Sequence, residues 1–137
     1  MVMEMKMNQI LRFRADEVVF EECDDEYVAH VFLRSMVSPE KHYLMINRSV
    51  NPRKKSEVFL EFDDQSQVAH GGVVGCELRS DGLTLELAER TAAALGIPNV
   101  RQVMVDFELA WGSLSELRRA LAAIFADHDR YQDKIQE

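Results

Sequence analysis

Glu61, Asp63, Asp64 and His70 are the residues of this 137-residue chain whose types and spacing come nearest to a reaction centre. Paired carboxylates divide acid and base roles when their surroundings separate their pKa values. A stretch that also holds a histidine and the Gly71-Gly72 pair offers donors for a divalent ion or a cradle for an anion. The chemistry such a set would serve is a small metal-dependent hydrolysis. The signal is unspecific, because adjacent acids at a turn are ordinarily just solvated. Gly71-Gly72 lacks the lysine of a phosphate loop and the glycine fingerprint of a dinucleotide site. No two of His30, His42, His70 and His128 stand at a metal-ligand spacing such as H-x-x-x-H. No serine lies in G-x-S-x-G. Cys76 sits in an apolar stretch with no adjacent cation to lower its pKa, and reads as a buried structural thiol. The residues point away from catalysis and imply no cofactor and no resident metal.

A second constellation is electrostatic. Between Asp16 and Glu26 stand seven carboxylates and no cation: Asp16, Glu17, Glu21, Glu22, Asp24, Asp25 and Glu26. Val18, Val19 and Phe20 interrupt them, so the stretch reads as a strand and turn of a folded body with a negative edge. Net charge is −8, with an isoelectric point near 5.0. That balance disfavours nucleic acid and anionic membranes, which both reward positive charge. It suits a basic protein partner, whose encounter such a field accelerates. Glu21, Glu22, Asp24, Asp25 and Glu26, with Asp63 and Asp64 as a second patch, are the expected contacts to that partner. The basic stretch Arg48 to Lys55 has no interleaved aromatics and reads as a solvated loop, paired or not with the acidic edge.

The elements that must position these residues follow from periodicity. The length suits one domain spanning 1–137, with a core at about 8–126. Period-two alternation dominates the first two-thirds. It predicts strands over 9–14, 17–23, 27–34, 43–49, 57–62, 73–78 and 83–87. Asp24-Asp25 and Ser80-Asp81-Gly82 supply turns, and Gly71-Gly72 a bend or a positive φ. Val58, Leu60 and Phe62 share one strand face; Glu57, Phe59 and Glu61 share the other, where Arg48 could pair with Glu61 across strands. The period then changes. Residues 88–95 read as a short helix stopped by Gly96 and Pro98, and 103–107 as a late strand. Ser113 to Glu116 has the form of a capping box, and Leu114, Leu117, Leu121, Ile124 and Phe125 mark an apolar helix face. Residues 127–137 read as a frayed polar tail or as a continuation of that helix through His128, Tyr131 and Ile135, on which a homodimer could pack. The fold class is α+β: mainly antiparallel sheet in the first two-thirds, then one short and one longer C-terminal helix packed on it. Two widely spaced cysteines, Cys23 and Cys76, fit free thiols in a cytoplasmic protein. The Met1 to Met7 stretch is too short and polar for a signal peptide, and no run reaches the length of a membrane span.

One arrangement is more specific than any of these sites. It runs Tyr43-Leu44-Met45-Ile46-Asn47-Arg48-Ser49, then Glu61-Phe62-Asp63-Asp64-Gln65-Ser66, then Gly71-Gly72, then Leu83 to Leu87, and closes with the helix from Leu117 to Phe125. In this order and spacing the chain resembles the Immunity protein 10 family of bacterial polymorphic toxin systems, over roughly residues 17–126. It departs from the pattern at His70, where an aromatic residue is expected before the glycine pair. The resemblance implies a non-enzymatic protein that binds and neutralises a cognate toxin. Such toxins often attack nucleic acid with a basic active face, which an acidic inhibitor would occlude. Two other readings stay open: the metal-dependent hydrolase of Glu61, Asp63, Asp64 and His70, and a β module that recruits an extended peptide to an exposed sheet edge.

Overall fold

The alternation of the sequence resolves into two five-stranded sheets rather than one. The computed structural model describes residues 9–22, 27–36, 41–49, 58–126 and 128–135, without the side chains of residues 22, 27, 28 and 49. Along these run β1 (Gln9–Arg14), β2 (Glu17–Glu22), β3 (Tyr27–Arg34), β4 (Tyr43–Ser49), β5 (Val58–Phe62), β6 (Asp64–His70), β7 (Val73–Arg79), β8 (Gly82–Leu87), α1 (Glu89–Ala94), β9 (Val100–Asp106), α2 (Trp111–Ile124) and β10 (Tyr131–Asp133). The first sheet has the order β1-β9-β8-β7-β10, and the second is the meander β2-β3-β4-β5-β6. Every pairing is antiparallel except the two at the edges of the first sheet, where β1 runs parallel to β9 and β10 parallel to β7. The fold is α+β, as the sequence predicts.

Each sheet turns one face inward. Val31, Leu33, Leu44, Ile46 and Leu60 are fully buried on the second sheet, and Leu78, Leu83, Leu85 and Val105 on the first. Val58, Leu60 and Phe62 share the inner face of β5, as the alternation requires; Glu57 lies outside the described residues. The two inner faces meet where Phe13 of β1 stands 6.4 Å from Phe62 of β5, with the His42 ring 5.6 Å from the first and 5.4 Å from the second. α2 lies on β3 and reaches β2 and β4. It buries Leu114, Leu117, Leu121, Ile124 and Phe125, the face that the spacing marks out.

The two helices end for different reasons. α1 stops in a Schellman motif: Gly96 at φ 78° donates to Ala93 O at 3.1 Å, and Ile97 N–H donates to Ala92 O at 2.9 Å. α2 ends under Arg48, whose guanidinium donates to Ile124 O at 3.4 Å. A cation at a helix C-terminus meets unpaired carbonyls and the negative end of the dipole. The register sets Arg48 opposite Val58 and Glu61 opposite Met45, so the expected Arg48–Glu61 pair does not form. Gly72, at φ 78°, lies where an added Cβ would fall 1.7 Å from Thr91 Oγ1. Only glycine lets α1 dock so closely on the β6–β7 bend.

Three local expectations are corrected. The Ser113 to Glu116 capping box does not start α2. The helix begins a turn earlier, with Leu114 N–H donating to Ala110 O at 2.9 Å and no side-chain cap. Residues 64–70, left out of the expected strands, form β6. They pair with β5 through a tight reversal at Asp63, whose φ is 61°. Residues 128–135 neither fray nor prolong α2. Tyr131–Asp133 adds to the edge of β7 as β10, Tyr131 stacks on Phe125 at 5.4 Å, His128 Nε2 bonds Val73 O at 2.8 Å, and Ile135 is buried. The apolar residues singled out for a helix face are contact residues, but the backbone turns at Asp129 and Arg130 and is extended from Tyr131 to Asp133.

Candidate functional site

The antiparallel register of β5 and β6 takes the hydrolytic set apart. Asp64 begins β6 and His70 ends it, six residues or about 20 Å away. His70 lies opposite Phe59 and meets its ring edge-on at 5.0 Å, so it fills the stacking place expected of an aromatic residue. Each carboxylate has a local task. Asp63 Oδ1 accepts the Tyr43 N–H at 2.8 Å while Oδ2 stands 2.6 Å from His42 Nδ1, which holds the left-handed reversal in place. Asp64 Oδ1 accepts both the N–H and the hydroxyl of Ser66 at 2.8 Å, and these bonds hold the carboxyl below its usual range. Glu61 accepts the Tyr43 hydroxyl at 2.7 Å. Burial, and after it the bond to Glu61, holds that phenol well above its ordinary range, so Tyr43 remains a donor. Cys76 is buried, and burial pushes its thiol up, which suits a structural role. Among the described residues no three His, Cys, Asp or Glu side chains are placed to hold a metal ion.

The acidic stretch is partly structural as well. Asp16 accepts the Met36 N–H at 3.0 Å, and Glu17 pairs with Arg34 at 2.7 Å across β2 and β3. Glu21 is exposed, and Glu22 closes β2 opposite Ala29. Cys23, Asp24, Asp25 and Glu26 lie outside the described residues, as do Arg53, Lys54 and Lys55. The registers fix the ends of the sheet. β2 stops and β3 starts at the end where β4 stops and β5 starts. Asp63 and Asp64 stand at the other end, about 16 Å away along the strands and three strands across. Glu21 and Glu22 therefore stand apart from Asp63 and Asp64 on one sheet.

Between those ends lies the outer face of the second sheet. Its pleat sets three rows across the strands. The middle row is Val19, Phe32, Met45, Glu61 and Val68, one residue from each of five strands. Above it run Glu21, His30, Asn47, Phe59 and His70; below it Glu17, Arg34 and Tyr43. Val19 is 42% exposed, and Phe32, Met45, Phe59 and Val68 are half-buried. Phe32 stacks on Tyr43 at 5.2 Å, and the Arg34 guanidinium sits 5.7 Å above its ring. α2 and α1 take the opposite face: Arg48, of the inner set, reaches Ile124, and inward-pointing Gln67 lies beside Leu95. Sequence reading passed over this row, although its signal was there. In a half-exposed strand the positions between core residues are ordinarily polar, and here they include Val19, Phe32, Met45, Phe59 and Val68.

Comparison with known families gives a match to Immunity protein 10 over residues 14–111. The chain belongs to the Immunity protein 10 family. The match runs from the last residue of β1 to the first of α2. It therefore covers the whole second sheet and leaves out the α2 helix that the resemblance over 17–126 had included. Comparison with curated proteins and with solved structures finds no match. Among the described residues of this Immunity protein 10 chain, no helix is long and apolar enough to cross a membrane.

Proposed function

We propose that this Immunity protein 10 chain is a cytoplasmic, non-enzymatic immunity protein of a bacterial polymorphic toxin system. It binds one cognate toxin and blocks it. The observation that carries the reading is family membership over the second sheet. The surplus of negative charge supports it. The toxin is a basic protein, and a nuclease is the class whose active face an acidic inhibitor best occludes. Glu21, Glu22, Asp24, Asp25 and Glu26 contact the toxin, with Asp63 and Asp64 as a second patch. Charges at a rim speed encounter and make it salt-dependent more than they hold the complex together. Changing Asp24, Asp25 and Glu26 together to Ser should slow association several-fold at low salt, and the deficit should shrink as salt screens the field. Stopped-flow binding at two ionic strengths measures this; unchanged low-salt kinetics would remove the turn from the interface. The function itself is tested by co-expression with the toxin domain encoded beside this chain. Restored growth and a stable complex support it. Death of cells holding this chain in excess of the toxin refutes it.

A further inference from the structure

The outer face of the second sheet is the strongest surface feature left over from folding. Val19, Phe32, Met45 and Val68 lie in one row, interrupted only by Glu61, and Phe59 stands in the row above. Monomeric proteins rarely expose contiguous apolar patches without a use for them. The cores of protein interfaces are depleted in charge and enriched in aromatic residues and Met. Two polar pairs lie within the patch: Tyr43 donates to Glu61 at 2.7 Å, and Arg34 pairs with Glu17 at 2.7 Å through its terminal nitrogen, while its Nε is buried without a hydrogen-bond partner. In the row above, Asn47, between His30 and Phe59, is only 2% exposed, while Glu21 and His70 at the two ends of that row are exposed.

We infer that the middle row is the centre of the toxin interface, and that its occupant is a protein surface with an apolar projection ringed by Lys and Arg. The inference rests on the proposed function and specifies its contact. Charge picks the occupant. The charged side chains that the pleat of β2 to β5 places on this face are Glu17, Glu21 and Glu61 against Arg34 alone, and Asp64, held ionised by Ser66, stands at its end. A second copy of this chain would bring the same negative rim against its own. Five strands at about 4.8 Å spacing make the face about 20 Å across. An interface of standard size, about 800 Å² per partner, would spread from it onto both acidic ends. The middle row holds the complex and the rim carboxylates guide it in. This gives separate tasks to the apolar and the acidic residues.

The test uses the full chain and, as probe, the toxin domain encoded beside it, with affinity measured by calorimetry or biolayer interferometry. Met45→Arg puts a cation at the centre of the row, and Val19→Arg puts one at its most exposed member. Gln132→Arg puts one on the outer face of the first sheet, where Gln132 of β10 lies opposite Glu77. Each of the first two should weaken binding by at least about 30-fold, the range of interface hot spots, with circular dichroism and melting temperature close to wild type. Gln132→Arg should stay within about twofold of wild type. If Met45→Arg fails to fold, Val19→Arg decides, since its side chain already faces water. Wild-type affinity in the folded row variants overturns the inference and leaves the proposed function standing. Absence of both binding and protection with the wild-type chain overturns both. A wild-type dimer that Met45→Arg dissociates, with toxin affinity unchanged, assigns the face to a second copy and also overturns it.

Discussion

The outer faces of the two sheets meet the same solvent and are built differently. On the first sheet the outward positions carry several matched charges, beside Met104 and an edge Ile10 that is 57% exposed. Arg12 makes two bonds to Asp106, at 2.7 and 2.9 Å, and Arg79 contacts Glu77, Asp81 and Thr84. These pairs tie β1 to β9 and close the β7–β8 hairpin. On the second sheet the outward positions carry Val19, Phe32, Met45, Phe59 and Val68, and among them Tyr43 donates to Glu61 and Arg34 pairs with Glu17. A face that stays wet gains from ion pairs and loses little by them. A face that will be dehydrated gains from apolar area, at about 25 cal/mol per Å², and suffers from unpaired charge. The contrast sets a face with ion pairs apart from the face that bears the proposed toxin contact.

The comparison is broken most sharply by the arginine substitutions already described, in which Met45→Arg should cost at least about 30-fold in toxin affinity and Gln132→Arg almost nothing. Next in size is Tyr43→Phe. It removes the donor to Glu61 and leaves a half-buried carboxylate in the apolar row, which should lower folding stability by about 1–2 kcal/mol in urea titrations. If stability is unchanged, the Tyr43–Glu61 bond does not prepare the face for dehydration. Arg48→Met keeps the stem and loses the bond to Ile124 O. It should lower the melting temperature by a few degrees, for a loss of about 0.5–1 kcal/mol, without changing toxin affinity. The reverse ranking would move Arg48 from the support of α2 to the interface. The smallest effect concerns the first sheet. The Arg12 hydrogen bond holds the Asp106 carboxyl below its usual range. A depressed carboxylate contributes stability that is complete above its unfolded pKa of about 3.9 and fades as pH falls toward the folded value. Asp106→Asn should therefore melt slightly below wild type at pH 7, and the gap should close below about pH 4. A gap that persists in acid would show that the pair contributes no charge-dependent stability.

Much of the candidate site was legible strand by strand and illegible as a whole. Tyr43 to Ser49 and Glu61 to Ser66 carried the family resemblance, and both fall within the matched span. The carboxylates stood out because charge is visible in a list of residues. The row at Val19, Phe32, Met45 and Val68 did not, because attention to the buried parity of each strand hides what the other parity shares. β6 escaped notice for a related reason. Asp64 to Ser66 are polar and exposed at the edge of the sheet, where a strand need cover nothing on its outer flank. The hydrolytic set looked close only because Asp64 and His70 are near in sequence, and an extended strand places such residues far apart.

Local chemistry determined the pieces. Alternating apolar residues dictated β3, β5, β7 and β8; Gly96 dictated the end of α1; and the spacing from Leu114 to Phe125 dictated which side of α2 is buried. What only the tertiary structure decided was partnership. β1 leaves its neighbour in sequence to run parallel to β9, with Arg12 bonded to Asp106 94 residues later, and β10 adds to β7 instead of prolonging α2. Periodicity records which side of an element is apolar. It carries no information about which other element will cover that side, because pairing is set by the shared burial of segments remote along the chain. The five-residue row of the second sheet, gathered from positions 19 to 68, comes into being only through that pairing.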